Sequence, residues 1–188
     1  MPAYLFLRIA FITLIGLTWT SCSNKRPVPV TQKLGDPYVI AATVGMVSDI
    51  VKQVVGDNAT VNCIIGTGVD PHLYRPTRND VITLINADIV FYSGLMLEGR
   101  MGDALIKVSR SKQVYAVTEL VDEARLLEPE GLQGHYDPHL WMDVSIWIDA
   151  VQSVAKPLAE YDLANATEYF KNAKLYNEEL KKLHRYAK

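Results

Sequence analysis

Four short apolar segments alternate with segments of helical periodicity, and this alternation constrains the fold more than any other feature. The apolar segments are rich in β-branched and aromatic residues and are short, so they predict strands rather than helices. They are continuously apolar, which is typical of strands buried on both faces of a parallel sheet. They comprise Tyr38–Thr43, Ala59–Ile65, Ala87–Tyr92 and Gln113–Val117.

The segments between these strands have the spacing of amphipathic helices. Helices are predicted at Met46–Val55, from Thr77 or Asn79 to Asn86, and at Arg100–Ser109. Strands that alternate with helices form parallel sheets with helices packed on their faces. The predicted fold class is therefore α/β, with a four-stranded parallel sheet flanked by helices.

Two further helices are predicted after the fourth strand. Asp143 is expected to cap the first of them, Val144–Ala159. The second is long and starts at Asp162 or Asn165, where Asn165-x-x-Glu168 has the spacing of a capping box. Its apolar stripe predicts a packing face made of Tyr169, Phe170, Ala173, Tyr176, Leu180 and Leu183.

The N-terminus has the pattern of a secretory signal. A single positive charge at Arg8 precedes the apolar run Ile9–Leu17, and small residues lead into Cys22. Residues 1–22 are therefore predicted to be a signal peptide. A short membrane anchor is the alternative, although the run is short for a membrane span. Residues 23–37 are polar, contain three prolines and predict a flexible tether.

The chain has two cysteines, Cys22 and Cys63, which excludes a disulfide-dense scaffold and a multi-cysteine zinc site. The position of Cys22 resembles a bacterial lipobox, whose cysteine carries the lipid anchor, although Trp19 replaces the usual Leu-like residue. If Cys22 is acylated, Cys63 has no partner, and its predicted strand suggests a buried thiol. The formal net charge is −2 without a basic stripe, so nucleic acid is not an expected partner.

The tripeptide Asp-Pro-His occurs twice, each time in a loop after a predicted strand. His72 follows the second strand and His139 follows the fourth. Because ligand sites of parallel sheets lie beyond the carboxyl ends of the strands, both imidazoles are expected at one edge, where they would suit a transition metal. Asp70 and Asp137 are candidates to accept a hydrogen bond from the non-ligating ring nitrogens. On spacing alone, ordinary loop histidines remain the alternative.

Three blocks of sequence carry a resemblance to a known family. They are Gly68–Thr77 followed by Asp80, Ala87–Leu95 followed by Leu97-Glu98, and Asp137–Asp143. In this order they resemble the solute-binding proteins of zinc and manganese ABC importers, the cluster A-I metal-binding lipoproteins. The resemblance extends from about Tyr38 to the last residue.

This resemblance implies two α/β lobes joined by a long helix, with the metal ion in the cleft between them. The first lobe of the family provides two histidines, which match His72 and His139 by motif. The other two ligands belong to a second lobe that has no counterpart here. Residues 38–160 are thus expected to be the first lobe, and residues 161–188 the start of the inter-lobe helix, with the second lobe absent.

The function implied by the resemblance is capture of zinc or manganese outside the cytoplasmic membrane and delivery to an ABC importer permease. The protein is then exported, periplasmic or on the cell surface, anchored by lipid to the membrane, and not an enzyme. Two alternatives stay open. One is a metal-dependent hydrolase that uses His72, His139 and a carboxylate such as Asp143. The other is a surface adhesion lipoprotein.

Overall fold

The computed structural model describes residues 37–131 and 133–188. The predicted signal peptide, Cys22 and all but the last residue of the predicted tether lie outside these residues. In the described part, a four-stranded sheet has the order β2-β1-β3-β4, and all three strand pairs are parallel. This confirms the predicted fold class. The strands are β1 (Tyr38–Ala42), β2 (Ala59–Cys63), β3 (Ile89–Tyr92) and β4 (Gln113–Ala116).

Five α-helices accompany the sheet in the described residues. The connection from β1 to β2 runs in the opposite direction along the sheet from those that lead to β3 and β4. Because such crossovers are right-handed, α1 packs on one face of the sheet, while α2 and α3 pack on the other. The helices are α1 (Gly45–Val55), α2 (Arg78–Asn86), α3 (Gly102–Val108), α4 (Val144–Tyr161) and α5 (Ala166–Tyr186).

Helices α1, α4 and α5 pack against one another, and their apolar faces form one core with the two central strands. Ile40 of β1 and Phe91 of β3 are fully buried there, as continuously apolar central strands should be. Strand β2 was predicted, like the other strands, to be buried on both faces. It lies instead at the edge of the sheet. Cys63, expected to be a buried thiol, is exposed on it.

The start of α5 also differs from its prediction. Asn165 occupies the N-cap position, but its side chain makes no capping hydrogen bond. It donates instead to Asp162 Oδ2 at 2.8 Å, and the Tyr169 hydroxyl donates to the same oxygen at 2.6 Å. A buried carboxylate requires such donors more strongly than a helix end requires a cap. Since the Tyr38 hydroxyl donates to Tyr169, this cluster joins α5 to β1.

The apolar stripe of α5 is narrower than predicted. Tyr169, Ala173 and Leu180 are buried, whereas Phe170 and Leu183 are 48% and 49% exposed. No helix among the described residues is long and apolar enough to span a membrane.

Candidate metal centre

His72 lies in the loop between β2 and α2. The Asp70 carboxylate accepts a hydrogen bond from the backbone N–H of His72 at 2.9 Å, which shapes the turn that carries the imidazole. The loop is also attached to α2 beyond it, because the Tyr74 hydroxyl donates to Asp80 Oδ2 at 2.6 Å. Asp80 and Thr77 form the capping box of that helix. The imidazole of His72 thus stands on a loop that Asp70 shapes and that is fixed to α2 at its far end.

His139 lies in the segment between β4 and α4, and its aspartate has a different role. Asp137 Oδ1 accepts from the backbone N–H of His139 at 2.9 Å and lies 2.6 Å from its ring Nδ1. These contacts with the backbone and ring of His139 hold the pKa of Asp137 below its usual range. With Nδ1 as the donor to this carboxylate, the lone pair of Nε2 is free to bind a cation.

The fold brings these two imidazoles together across 67 positions of sequence. Their Nε2 atoms are 3.2 Å apart, and the rings are tilted by 59° with centroids 5.3 Å apart. Both histidines are exposed, so the position between the two nitrogens is accessible from solvent. Among residues 37–131 and 133–188, no group of three or more His, Cys, Asp or Glu side chains could hold a metal ion. The described site therefore offers two ligand nitrogens.

Most of this chain matches one known protein family. Residues 40–188 match the family described as ZnuA, zinc-uptake complex component A, periplasmic. That span is most of the chain.

The chain belongs to this family.

Relatives in the ZnuA family match over most of this chain but about half of their own length. The manganese-binding lipoprotein MntA of Bacillus subtilis is 36% identical over 149 residues, which are 79% of this chain and 48% of the relative. The zinc-binding protein TroA of Treponema pallidum is also 36% identical, over 82% of this chain and 49% of its own. The solved structure of TroA superposes with a TM-score of 0.77 and 34% identity, over 80% of this chain and 54% of that one. This chain thus spans about half the length of the curated relatives it matches.

The segment that carries His139 also packs against aromatic residues at and before the start of α4. Trp141 packs edge-on against His139, with ring centroids 5.3 Å apart, and contacts Trp147 behind it. Asp143 caps α4 as predicted, because its Oδ1 accepts from the N–H and the hydroxyl of Ser145. These contacts lower the pKa of Asp143.

A cavity of about 760 Å³ lies between α3, β4 and the segment after β4, and neither His72 nor His139 lines it. The third histidine of the region, His135, is exposed. Sequence reasoning assigned no role to Glu98, although it ends one of the blocks that carry the family resemblance. The structure shows it to be 3% exposed at the edge of the sheet that carries both histidine loops.

Proposed function

We propose that this protein captures a divalent transition-metal ion, zinc or manganese, outside the cytoplasmic membrane and passes it to an ABC importer permease. His72 and His139 provide two of the ligands. The observation that carries this proposal is the 3.2 Å separation of their Nε2 atoms on two loops that other side chains hold in place. Membership of the ZnuA family supports the same function.

The separation of the nitrogens suits a shared metal ion. At a metal–nitrogen distance of about 2.05 Å, a tetrahedral angle places two ligand nitrogens about 3.3 Å apart, and a right angle about 2.9 Å. The distance between His72 Nε2 and His139 Nε2, 3.2 Å, lies between these values. A hydrogen bond between these two nitrogens requires one of them to carry a hydrogen, and a shared cation would take the place of that hydrogen. Imidazole binds metal ions in its deprotonated, neutral form, so metal binding of this kind weakens in acid.

The identity of the metal depends on the remaining ligands. Imidazole suits zinc and several other transition metals, while carboxylate and water favour manganese. Relatives named as manganese-binding and as zinc-binding are equally similar to this chain, at 36% identity each. The segment Ala124–Gly134 contains no histidine, which in the sequence favours manganese or a zinc protein without a histidine-rich loop.

Export and lipid anchoring belong to the same proposal. Relatives are named lipoproteins, and Cys22 stands at the end of a signal-like segment. We expect Cys22 to become the acylated first residue of the mature protein. Incorporation of radiolabelled palmitate into the expressed protein tests this, with Cys22→Ala as the variant and Cys63→Ala as the matched control. Label that persists in Cys22→Ala would exclude this anchor.

Catalysis is not part of the proposed function. A metal-dependent hydrolase requires a general base beside the metal ion. Asp143, the candidate from sequence, caps α4 through a hydrogen bond from the Ser145 N–H. No observation among the described residues favours adhesion.

Calorimetric titration with zinc and with manganese tests metal capture. The wild-type protein should bind one ion, and the His72→Ala/His139→Ala double variant should bind none. His135→Ala is the matched control, because this exposed histidine lies in the same segment as His139 and should leave binding unchanged. Equal binding by the wild type and the double variant would refute these ligands. No binding by the wild type would refute capture by this chain.

A further inference from the structure

A cluster of buried polar residues lies at the carboxyl edge of the sheet, where the two histidine loops begin. The four residues, here called the edge cluster, are fully or almost fully buried. Their exposed fractions are 0% for Thr43, 1% for Ser93, 3% for Glu98 and 6% for Thr118. Burial of an acid is costly unless hydrogen bonds compensate, so the contacts of Glu98 require an explanation beyond packing.

The carboxyl group of Glu98 joins the ends of the two central strands. Its Oε1 accepts from the Thr43 hydroxyl at 2.5 Å and from the Ser93 N–H at 2.7 Å. Its Oε2 accepts from the Gly94 N–H at 3.4 Å. Thr43 directly follows β1, and Ser93 directly follows β3. One side chain therefore connects the point where each central strand ends.

The same two residues anchor the chain segments that lead to the histidines. The carbonyl oxygen of Thr43 accepts from the Ile65 N–H at 2.8 Å, where the chain leaves β2 toward His72. The carbonyl oxygen of Ser93 accepts from the Thr118 N–H at 3.3 Å, where the chain leaves β4 toward His139. Glu98 thus forms hydrogen bonds to Thr43 and Ser93, the two residues whose carbonyl oxygens bind the chain segments that lead to the histidines.

The backbone around Glu98 is adapted to this arrangement at a conformational cost. Leu95 and Met96 have φ values of +50° and +64°, which residues other than glycine rarely adopt. Gly94 has a φ of +96°, and a Cβ there would lie 2.3 Å from the Thr118 hydroxyl. This tight loop returns the chain so that Glu98 reaches back under the strand ends.

We propose that Glu98 is a positioning residue for metal capture, which fixes the two histidine loops relative to each other through the edge cluster. The inference rests on the proposed function, because positioning matters only if His72 and His139 share a metal ion. Without Glu98, the ends of β1 and β3 are no longer joined, and the separation of the two Nε2 atoms varies. Metal affinity then falls because the loops must be ordered when the ion binds.

The experiment compares substitutions at Glu98 with a substitution of similar size elsewhere in the core. Cobalt is the probe ion, because its visible absorption reports the geometry of its ligands. Glu98→Ala removes the carboxyl group, whereas Glu98→Gln retains one oxygen that Thr43 and Ser93 can share. Ile50→Ala is the control, since Ile50 is fully buried in α1 and its side chain makes no hydrogen bonds.

We expect Glu98→Ala to weaken cobalt binding at least 10-fold and to change the absorption spectrum. Glu98→Gln should bind within about 3-fold of the wild type, and so should Ile50→Ala. Hydrogen exchange of the Ile65 and Thr118 amides provides a readout that needs no metal. Both amides should exchange at least 10-fold faster in Glu98→Ala but not in Ile50→Ala.

Thr43→Val and Thr43→Ser provide a second comparison if Glu98→Ala does not fold. The valine variant removes one donor to Glu98 while keeping the side-chain shape, and the serine variant keeps the donor. Thr43→Val should weaken cobalt binding several-fold relative to Thr43→Ser.

The outcomes separate this inference from the proposed function. If the wild type binds cobalt and both Glu98→Ala and Thr43→Val leave affinity, spectrum and amide exchange unchanged, the positioning role is refuted. If Ile50→Ala weakens binding as much as Glu98→Ala, the effect is one of stability, and the positioning role is again refuted. If the wild type binds no metal ion, the proposed function itself fails.

Discussion

The two Asp-Pro-His tripeptides provide a test in which one motif acts as the control for the other. Asp137 contacts both the backbone N–H and the ring Nδ1 of His139, whereas Asp70 contacts only the backbone N–H of His72. Asp137→Asn removes the negative charge beside the ring and leaves an oxygen for the backbone. Asp70→Asn makes the same chemical change where no ring depends on it.

The expected loss follows from the hydrogen bond to the ring. A hydrogen bond to a charged group contributes about 1.5–3 kcal/mol, which corresponds to roughly 10–100-fold in affinity at 1.4 kcal/mol per decade. Asp137 is 37% exposed at its side chain, so solvent screening favours the lower end of that range. We expect Asp137→Asn to weaken zinc binding about 10-fold. Asp70→Asn should change it less than about 3-fold.

Competition with a chromophoric chelator at neutral pH measures both affinities on the same scale. Urea unfolding of the two variants without metal controls for differences in stability. If the two variants lose equal affinity, the ring contact of Asp137 has no special role, and the reasoning from the orientation of His139 is wrong. A larger loss of zinc affinity in Asp70→Asn would mean that Asp70, and not Asp137, supports its histidine as a metal ligand.

Three further predictions concern stability. Asp143→Ala removes the cap of α4 and should cost about 1 kcal/mol in urea unfolding, with metal affinity unchanged; unchanged stability would contradict the capping role. Tyr169→Phe deprives buried Asp162 of a donor and should cost about 1–3 kcal/mol, whereas Tyr186→Phe, an exposed tyrosine of the same helix, should cost nothing measurable. Burial raises the pKa of Glu98, so the native state binds its proton more tightly than the unfolded state does. The resulting stability is fully present below the unfolded pKa of about 4.3 and is lost as pH rises through the native value. The free energy of unfolding of the wild type minus that of Glu98→Gln should therefore fall as the pH rises above about 4.3, and a rise would refute the sign.

Much of the fold follows from local sequence patterns. The order of strands and helices was predicted correctly because each apolar run is short and each helix has its own periodicity. Strand boundaries were predicted one or two residues too long, in part because Thr43 and Val117 continue the run of β-branched residues beyond the last ladder pair. The parallel arrangement followed from the alternation, because successive parallel strands need a crossover between them.

The sequence by itself predicted the kind of candidate site, two histidines beyond strand ends. The two tripeptides can be read directly from the chain, and the rule that ligand sites lie beyond the carboxyl ends of parallel strands needs only the order of strands and helices. The tertiary structure decided how these residues differ. Asp137 reaches a ring nitrogen and Asp70 does not, although their tripeptides are identical, since the surrounding backbone sets the direction of each side chain. Cys63 is exposed because β2 is an edge strand, and strand order is a property of the whole sheet. Glu98 meets Thr43 across 55 positions of sequence, and no periodicity reports a hydrogen bond formed at that separation.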